Sequence, residues 1–157
     1  MDRFRFVPLI KAVYKLVGSS LGANREHDIA VHHKLDTIIN ESRMEQLLRY
    51  SFFTECLRSE ERDLLYQFVN ALHCAENQYL HPVIERRARR LARELSQLLQ
   101  TVDSTFSSDD RELFRFRPDP LDPTAYDREW EKLQEGIEST WKAYKTYREA
   151  VKDRLKI

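Results

Sequence analysis

The stretch that most constrains this chain is its C-terminal end, residues 126–156. From Tyr126 the apolar and aromatic positions run Tyr126, Trp130, Leu133, Ile137, Trp141, Tyr144, Tyr147, Val151 and Leu155. Their mean step is about 3.6 residues, the pitch of a straight α-helix rather than of a supercoiled seam. Pro123 and Thr124 stand just ahead, Asp127, Glu129 and Glu131 fill the first turns, and Lys142, Lys145, Lys152, Arg154 and Lys156 crowd the far end. That order sets negative charge at the positive end of the helix dipole and positive charge at its negative end. Both tryptophans lie on the stripe, so much of the core is expected to be built against this helix.

The rest of the composition agrees with helices. Three glycines and five prolines in 157 residues, 33% of them charged, leave little turn chemistry for a many-stranded sheet. The expected fold is an all-α, single-domain bundle of about six helices over residues 1–157. An apolar N-terminal helix and linker occupy 1–22, a helical core 26–105, a long Pro-containing loop 106–125 and the last helix 126–156. A chain of this length buries roughly 70% of its unfolded surface. A formal net charge of zero argues against a dedicated DNA-binding protein, which needs a basic surplus. Cys56 and Cys74 are too few for a disulfide framework and read as small core residues in helices. No run reaches the length of a transmembrane segment, and Lys11 and Lys15 break what could pass for a signal sequence. The expected location is cytoplasmic, with no cofactor.

Along the chain, Phe6, Val7, Leu9, Ile10, Val13, Tyr14, Leu16 and Val17 predict a short apolar helix over 6–17, stopped by Gly18, Ser19, Ser20 and Gly22. A second helix is expected over 26–39 and a third over 42–57, with Asn40 or Ser42 as N-cap. Ser59, Glu60 and Glu61 open a fourth that runs to about residue 77, and Pro82 suits the first turn of a fifth. In the fifth, Ile84, Ala88, Leu91, Leu95, Leu98 and Val102 alternate steps of four and three. Gly136, Thr140 and Ala143 form a smooth strip on the last helix, able to admit either the domain's own helix or another subunit. In the loop, Leu113-Phe114-Arg115-Phe116-Arg117-Pro118 echoes Arg3-Phe4-Arg5-Phe6-Val7-Pro8. This alternation either joins the two segments as a two-stranded ribbon or reflects an Arg- and Phe-rich composition.

Catalytic residue types are densest at Glu26, His27, Asp28, His32, His33 and Asp36. On a helix Asp28, His32 and Asp36 share one stripe, and Asp28 with His32 could hold a metal ion. The His27-Asp28 doublet resembles that of HD-type metal phosphohydrolases, which use further His and Asp ligands on other helices; here His73 and His81 are the only histidines outside the cluster. Arg25 followed by His32 after six residues resembles the Arg-x(4–6)-His motif of HEPN-type ribonucleases, with Glu26 where that family has Asn, His or Asp. These resemblances imply a metal- or RNA-directed phosphodiesterase using Arg25, His27, Asp28 and His32. The plainer reading is a solvated polar face. Asn77-Gln78-Tyr79 beside His81 reads as a hydrogen-bonded turn.

Arg86, Arg87, Arg89, Arg90 and Arg93 crowd the early turns of the fifth helix, relieved by Glu85 and Glu94. Positive charge is mildly unfavourable there, so acidic groups should lie nearby. The loop over 106–125 is long enough, at about 3.3 Å per residue, to return the chain past a helix of roughly 35 Å. The fifth and last helices are therefore expected to run roughly parallel, with the arginines beside the acidic half of the last helix. Otherwise the arginines are left for a partner. The expected function is that of a non-enzymatic helical interaction, regulatory or accessory subunit. It would contact a protein partner or a second copy through Arg86, Arg87, Arg89, Arg90, Arg93, Ile10, Tyr14 and Val17. Nucleic-acid binding through the same arginines is the remaining alternative.

Overall fold

A computed structural model describes residues 7–108 and 112–157, with side chains from residue 22 onward. Among them are five α-helices and three short strands: α1 (Val7–Ile38), α2 (Glu41–Gln46), β1 (Cys56–Arg58), α3 (Ser59–His73), α4 (Pro82–Thr105), β2 (Phe106–Ser108), β3 (Leu113–Phe116) and α5 (Ala125–Leu155). The fold is predominantly helical, as the periodicity requires. One contiguous core takes residues from α1 through α5 and from the strands, with Leu35, Phe52, Leu57, Phe68, Leu91, Leu95, Tyr144 and Tyr147 deep inside it. No described helix is long and apolar enough to cross a membrane.

Five helices replace six because the first two expected helices are one. Gly18 and Gly22 do not stop α1: no described glycine adopts a positive φ, and Gly22 sits in open space. A glycine that keeps helical angles costs about 1 kcal/mol and breaks nothing. Asn40 caps α2 as expected, its Oδ1 accepting the Arg43 N–H at 2.9 Å. The third helix, however, ends at Gln46. A π-helical turn (Leu47–Ser51) and a 3-10 turn (Phe52–Thr54) follow, and Glu55 is left-handed at φ 55°. Cys56 therefore lies in a strand, half-buried, and Cys74 is exposed just past α3; neither is a core residue of a helix.

The loop over 106–125 holds the second departure. β2 and β3 pair antiparallel, β1 pairs antiparallel on the other edge of β3, and the order is β1-β3-β2. The alternation in Leu113-Phe114-Arg115-Phe116 is thus a real strand. Both of its edges are taken by β1 and β2, whereas the proposed N-terminal partner falls largely outside the described residues and Pro8 belongs to α1.

The hairpin also decides how α4 and α5 meet. Because β2 and β3 double back, the loop spends its length at the C-terminal end of α4 instead of travelling along the helix. Phe116 packs edge-on to Phe106, Tyr126 and Trp130 and so ties the start of α5 to the end of α4. The helices run antiparallel, with Ser139 on Glu94 and Gly136 on Leu98. The parallel arrangement expected from charge is not adopted. The Gly136, Thr140, Ala143 strip admits α4 itself, with Thr140 and Ala143 fully buried. A Cβ on Gly136 would stand 3.3 Å from Leu98 Cδ1.

That contact generates a double-mutant prediction. Leu98→Ala should cost about 2–5 kcal/mol in urea unfolding, as buried leucines do. Gly136→Ala alone should be near neutral, its helix-propensity gain of about 1 kcal/mol offset by the tight contact. In the Leu98→Ala background the same change should stabilise by about that full amount. Additive effects would show that Gly136 is not the point of closest approach.

Candidate functional site

α1, the residues leading into α4, and the end of α5 meet at one end of the bundle, where most of the catalytic-type residues lie. Asp28 is 1% exposed. Its carboxylate accepts the backbone N–H of Leu80 at 2.7 Å and of His81 at 2.9 Å, so a buried charge is met by two donors. One residue earlier, the His27 ring lies 3.0 Å from the Gln78 carbonyl, where its Nε2 can donate. Arg25 donates to the Leu155 carbonyl at 2.5 Å, covering an orphan acceptor at the end of α5. The turn itself is hydrogen-bonded: Asn77 Nδ2 donates to Ala71 O, the Tyr79 N–H to Glu85, and the Val83 N–H to His81 Nδ1. Arg25 and Asp28 line one pocket there with Asn24, Leu80, His81, Pro82, Arg154 and Leu155; His27 and His32 are not part of its lining.

His32 lies one turn deeper, 6% exposed, in a polar cluster between α1 and α5. Arg148 pairs with Asp36 and, at 3.4 Å, with Glu41; Lys152 also reaches Glu41. The Tyr79 and Tyr147 hydroxyls share a hydrogen bond of 2.5 Å. His32 Nδ1, Tyr144 OH and Arg148 Nε are buried and have no hydrogen-bond partner among the described residues. Burial first, then the Arg148 charge, hold His32 below the ordinary histidine range, and Asp36 only partly opposes them. Burial likewise raises the Tyr79, Tyr144 and Tyr147 hydroxyls, so all three stay protonated. Asp28 and His32 share a helix face as the spacing predicted, but Asp28 turns both oxygens to backbone donors. Among the described residues no three His, Cys, Asp or Glu side chains converge as a metal cage would need.

The arginines of α4 stand on the outer side of the helix, opposite Ala88, Leu91, Ala92 and Leu95. Among the described residues their ion pairs are all with acids of α4 itself: Arg89 meets Glu85 at 2.5 Å, Arg93 meets Glu94 at 3.5 Å, and Arg90 stands 3.9 Å from Glu94. Both glutamates are shared, Glu85 with the Tyr79 N–H and Glu94 with the Ser139 hydroxyl. Arg86 and Arg87 form no ion pair among the described residues. The antiparallel packing sends Asp127, Glu129 and Glu131 to the opposite end. Ile10, Tyr14 and Val17 lie in the first part of α1, and their side chains are outside the described residues.

Sequence reasoning missed Arg148, Arg154 and the tyrosine hydroxyls. Tyr144 and Tyr147 were legible as core ring positions, and nothing in their spacing shows where the hydroxyls end. Compared with protein-family models, curated proteins and solved structures, the chain matches none of them.

Two measurements follow. Asp28→Ala strands two backbone donors and should cost about 2–4 kcal/mol in urea unfolding, beyond an ordinary surface change. His32 is neutral when folded and titrates near pH 6.5 when unfolded. The unfolded chain therefore binds the extra proton first, and the stability owed to neutral His32 is present above about pH 6.5 and lost as pH falls through the lowered folded value. His32→Gln should flatten the dependence of the urea midpoint on pH between about 7 and 5. An unchanged slope would show that His32 is solvated when folded.

Proposed function

We propose that the chain is a non-enzymatic interaction subunit, regulatory or accessory, that docks on an acidic surface of a protein partner through Arg86, Arg87, Arg89, Arg90 and Arg93. The observation that carries this reading is the antiparallel packing of α4 and α5, which leaves five arginines with two shared glutamates for company. Such a cluster is a cost to an isolated helix: like charges one turn apart repel, and its first turns disfavour cations. A carboxylate-rich partner turns that cost into binding, because guanidinium forks pair bidentately with carboxylates. The helix behind them is anchored by buried Ala88, Leu91, Ala92 and Leu95, so the arginine backbones are held at fixed spacing. We place the protein in the cytoplasm, where Cys56 and Cys74 would remain thiols.

The test is affinity capture from the source cell with the wild-type chain and with an Arg86→Glu/Arg89→Glu/Arg93→Glu variant. The reading expects a stoichiometric acidic protein that is lost in the variant and released by salt, while the variant's melting temperature is unchanged or higher. Capture that survives the charge reversal would overturn it. So would capture abolished by nuclease, which would assign the arginines to nucleic acid.

A further inference from the structure

We propose that the pocket where α1, the start of α4 and the end of α5 meet binds a small monocarboxylate carrying an apolar group. The pocket measures about 360 Å³, at the small end of ligand sites. Its apolar walls come from Leu80, Pro82 and Leu155, and its charged groups are Arg25, Arg154 and Asp28. Asp28 is the single carboxylate, and its two oxygens already accept the Leu80 and His81 N–H groups. Leu155 O already accepts from Arg25. His81 accepts the Val83 N–H at Nδ1, 3.3 Å away, which leaves Nε2 as the ring nitrogen that can donate. What the charged and ring groups still offer is donors: the free guanidinium nitrogens of Arg25, the guanidinium of Arg154, which has no ion pair among the described residues, and His81 Nε2.

Two guanidiniums against one carboxylate favour an anion of single charge, since Asp28 in the same lining would repel a second charge. Planar forks match a carboxylate better than a point charge would. Leu80, Pro82 and Leu155 suit hydrocarbon on the rest of the ligand, with Asn24 the one neutral amide in the lining. Part of the site is held ready, since the hydrogen bonds of Asp28, Arg25 and His81 fix Leu80, His81, Arg25 and Leu155 relative to one another. The exposed Arg154 side chain is ordered on binding. This inference is independent of the arginine face, because none of Arg86, Arg89 or Arg93 lines the pocket.

Two sources share this chemistry, a free branched-chain acid and the C-terminal residue of a peptide. The experiment is an amide-resonance NMR titration of the full chain with 4-methylpentanoate and with a capped peptide ending in leucine carboxylate. The corresponding amides of both probes are the controls. Saturable shifts at Leu80, His81 and Leu155 are expected with at least one carboxylate, and binding about tenfold or more weaker with its amide. Arg154→Gln should weaken binding by a similar factor and leave the remaining spectrum unchanged, which separates loss of the ligand from loss of the fold. The Arg86→Glu/Arg89→Glu/Arg93→Glu variant should bind normally. Tighter binding of the free acid identifies a small-molecule site, and tighter binding of the peptide identifies a chain terminus; either supports the assignment. No saturable shift with either carboxylate, equal binding of acid and amide, or undiminished binding by Arg154→Gln would overturn it.

Discussion

The antiparallel contact between α4 and α5 is the constraint on which the rest of the structure depends. Gly136 meets Leu98 of the leucine ridge of α4, and the small residues Thr140 and Ala143 on the same strip of α5 are buried. Dispersion is short-ranged, so a close approach over several turns counts for more than a few larger side chains in looser contact. The Phe106, Phe116, Tyr126 and Trp130 rings close one end of the pair. Tyr79 and Tyr147, together with the Arg25 bond to Leu155, close the other.

Electrostatics yields to this packing. Opposite charges on α4 and α5 would have gained from a parallel arrangement, but exposed ion pairs contribute only about 0–1 kcal/mol each. Burying Leu91, Leu95, Leu98 and Ile137 is worth about 1.5–3 kcal/mol per side chain before entropy. Surface charge therefore follows the packing, and the arginines stay on the outside with their repulsion only partly relieved. Buried charge behaves differently. Asp28 and Arg148 each carry specific partners, and each stitches α1 to a distant part of the chain.

Legibility in the sequence divides along the same physical line. The long stripes were readable: α5 begins and ends within a residue or two of its periodicity, and α4 starts at Pro82 as its ring and missing N–H require. Signals of a few residues were not. Gly18 and Gly22 are strong stop signals only where the chain turns, and α1 runs straight through them. The π-turn over Leu47–Ser51 keeps a helical apolar spacing, so β1 behind it is hidden. The sheet pairs Cys56 with Arg115 and Phe106 with Phe116, contacts that no local pattern announces. At the site, the polar cluster around Asp28 was visible as residue types. Its use as a backbone acceptor for Leu80 and His81, across 52 and 53 positions, was not. The Arg86 to Arg93 cluster was read directly, but whether it is neutralised depends on helix direction, which the chain settles through a hairpin.

Helix direction is accordingly what should be measured first. With Cys56 and Cys74 replaced, spin labels at Gln100 and Lys132 report one pair of sites, and labels at Arg89 and Lys132 report the other. The antiparallel arrangement predicts that the first distance is the shorter, by an offset on the order of 16 Å along the axis for eleven helical residues. A shorter distance for Arg89 and Lys132 would mean that the helices run parallel, with the arginines beside the acidic turns and no exposed face left to explain.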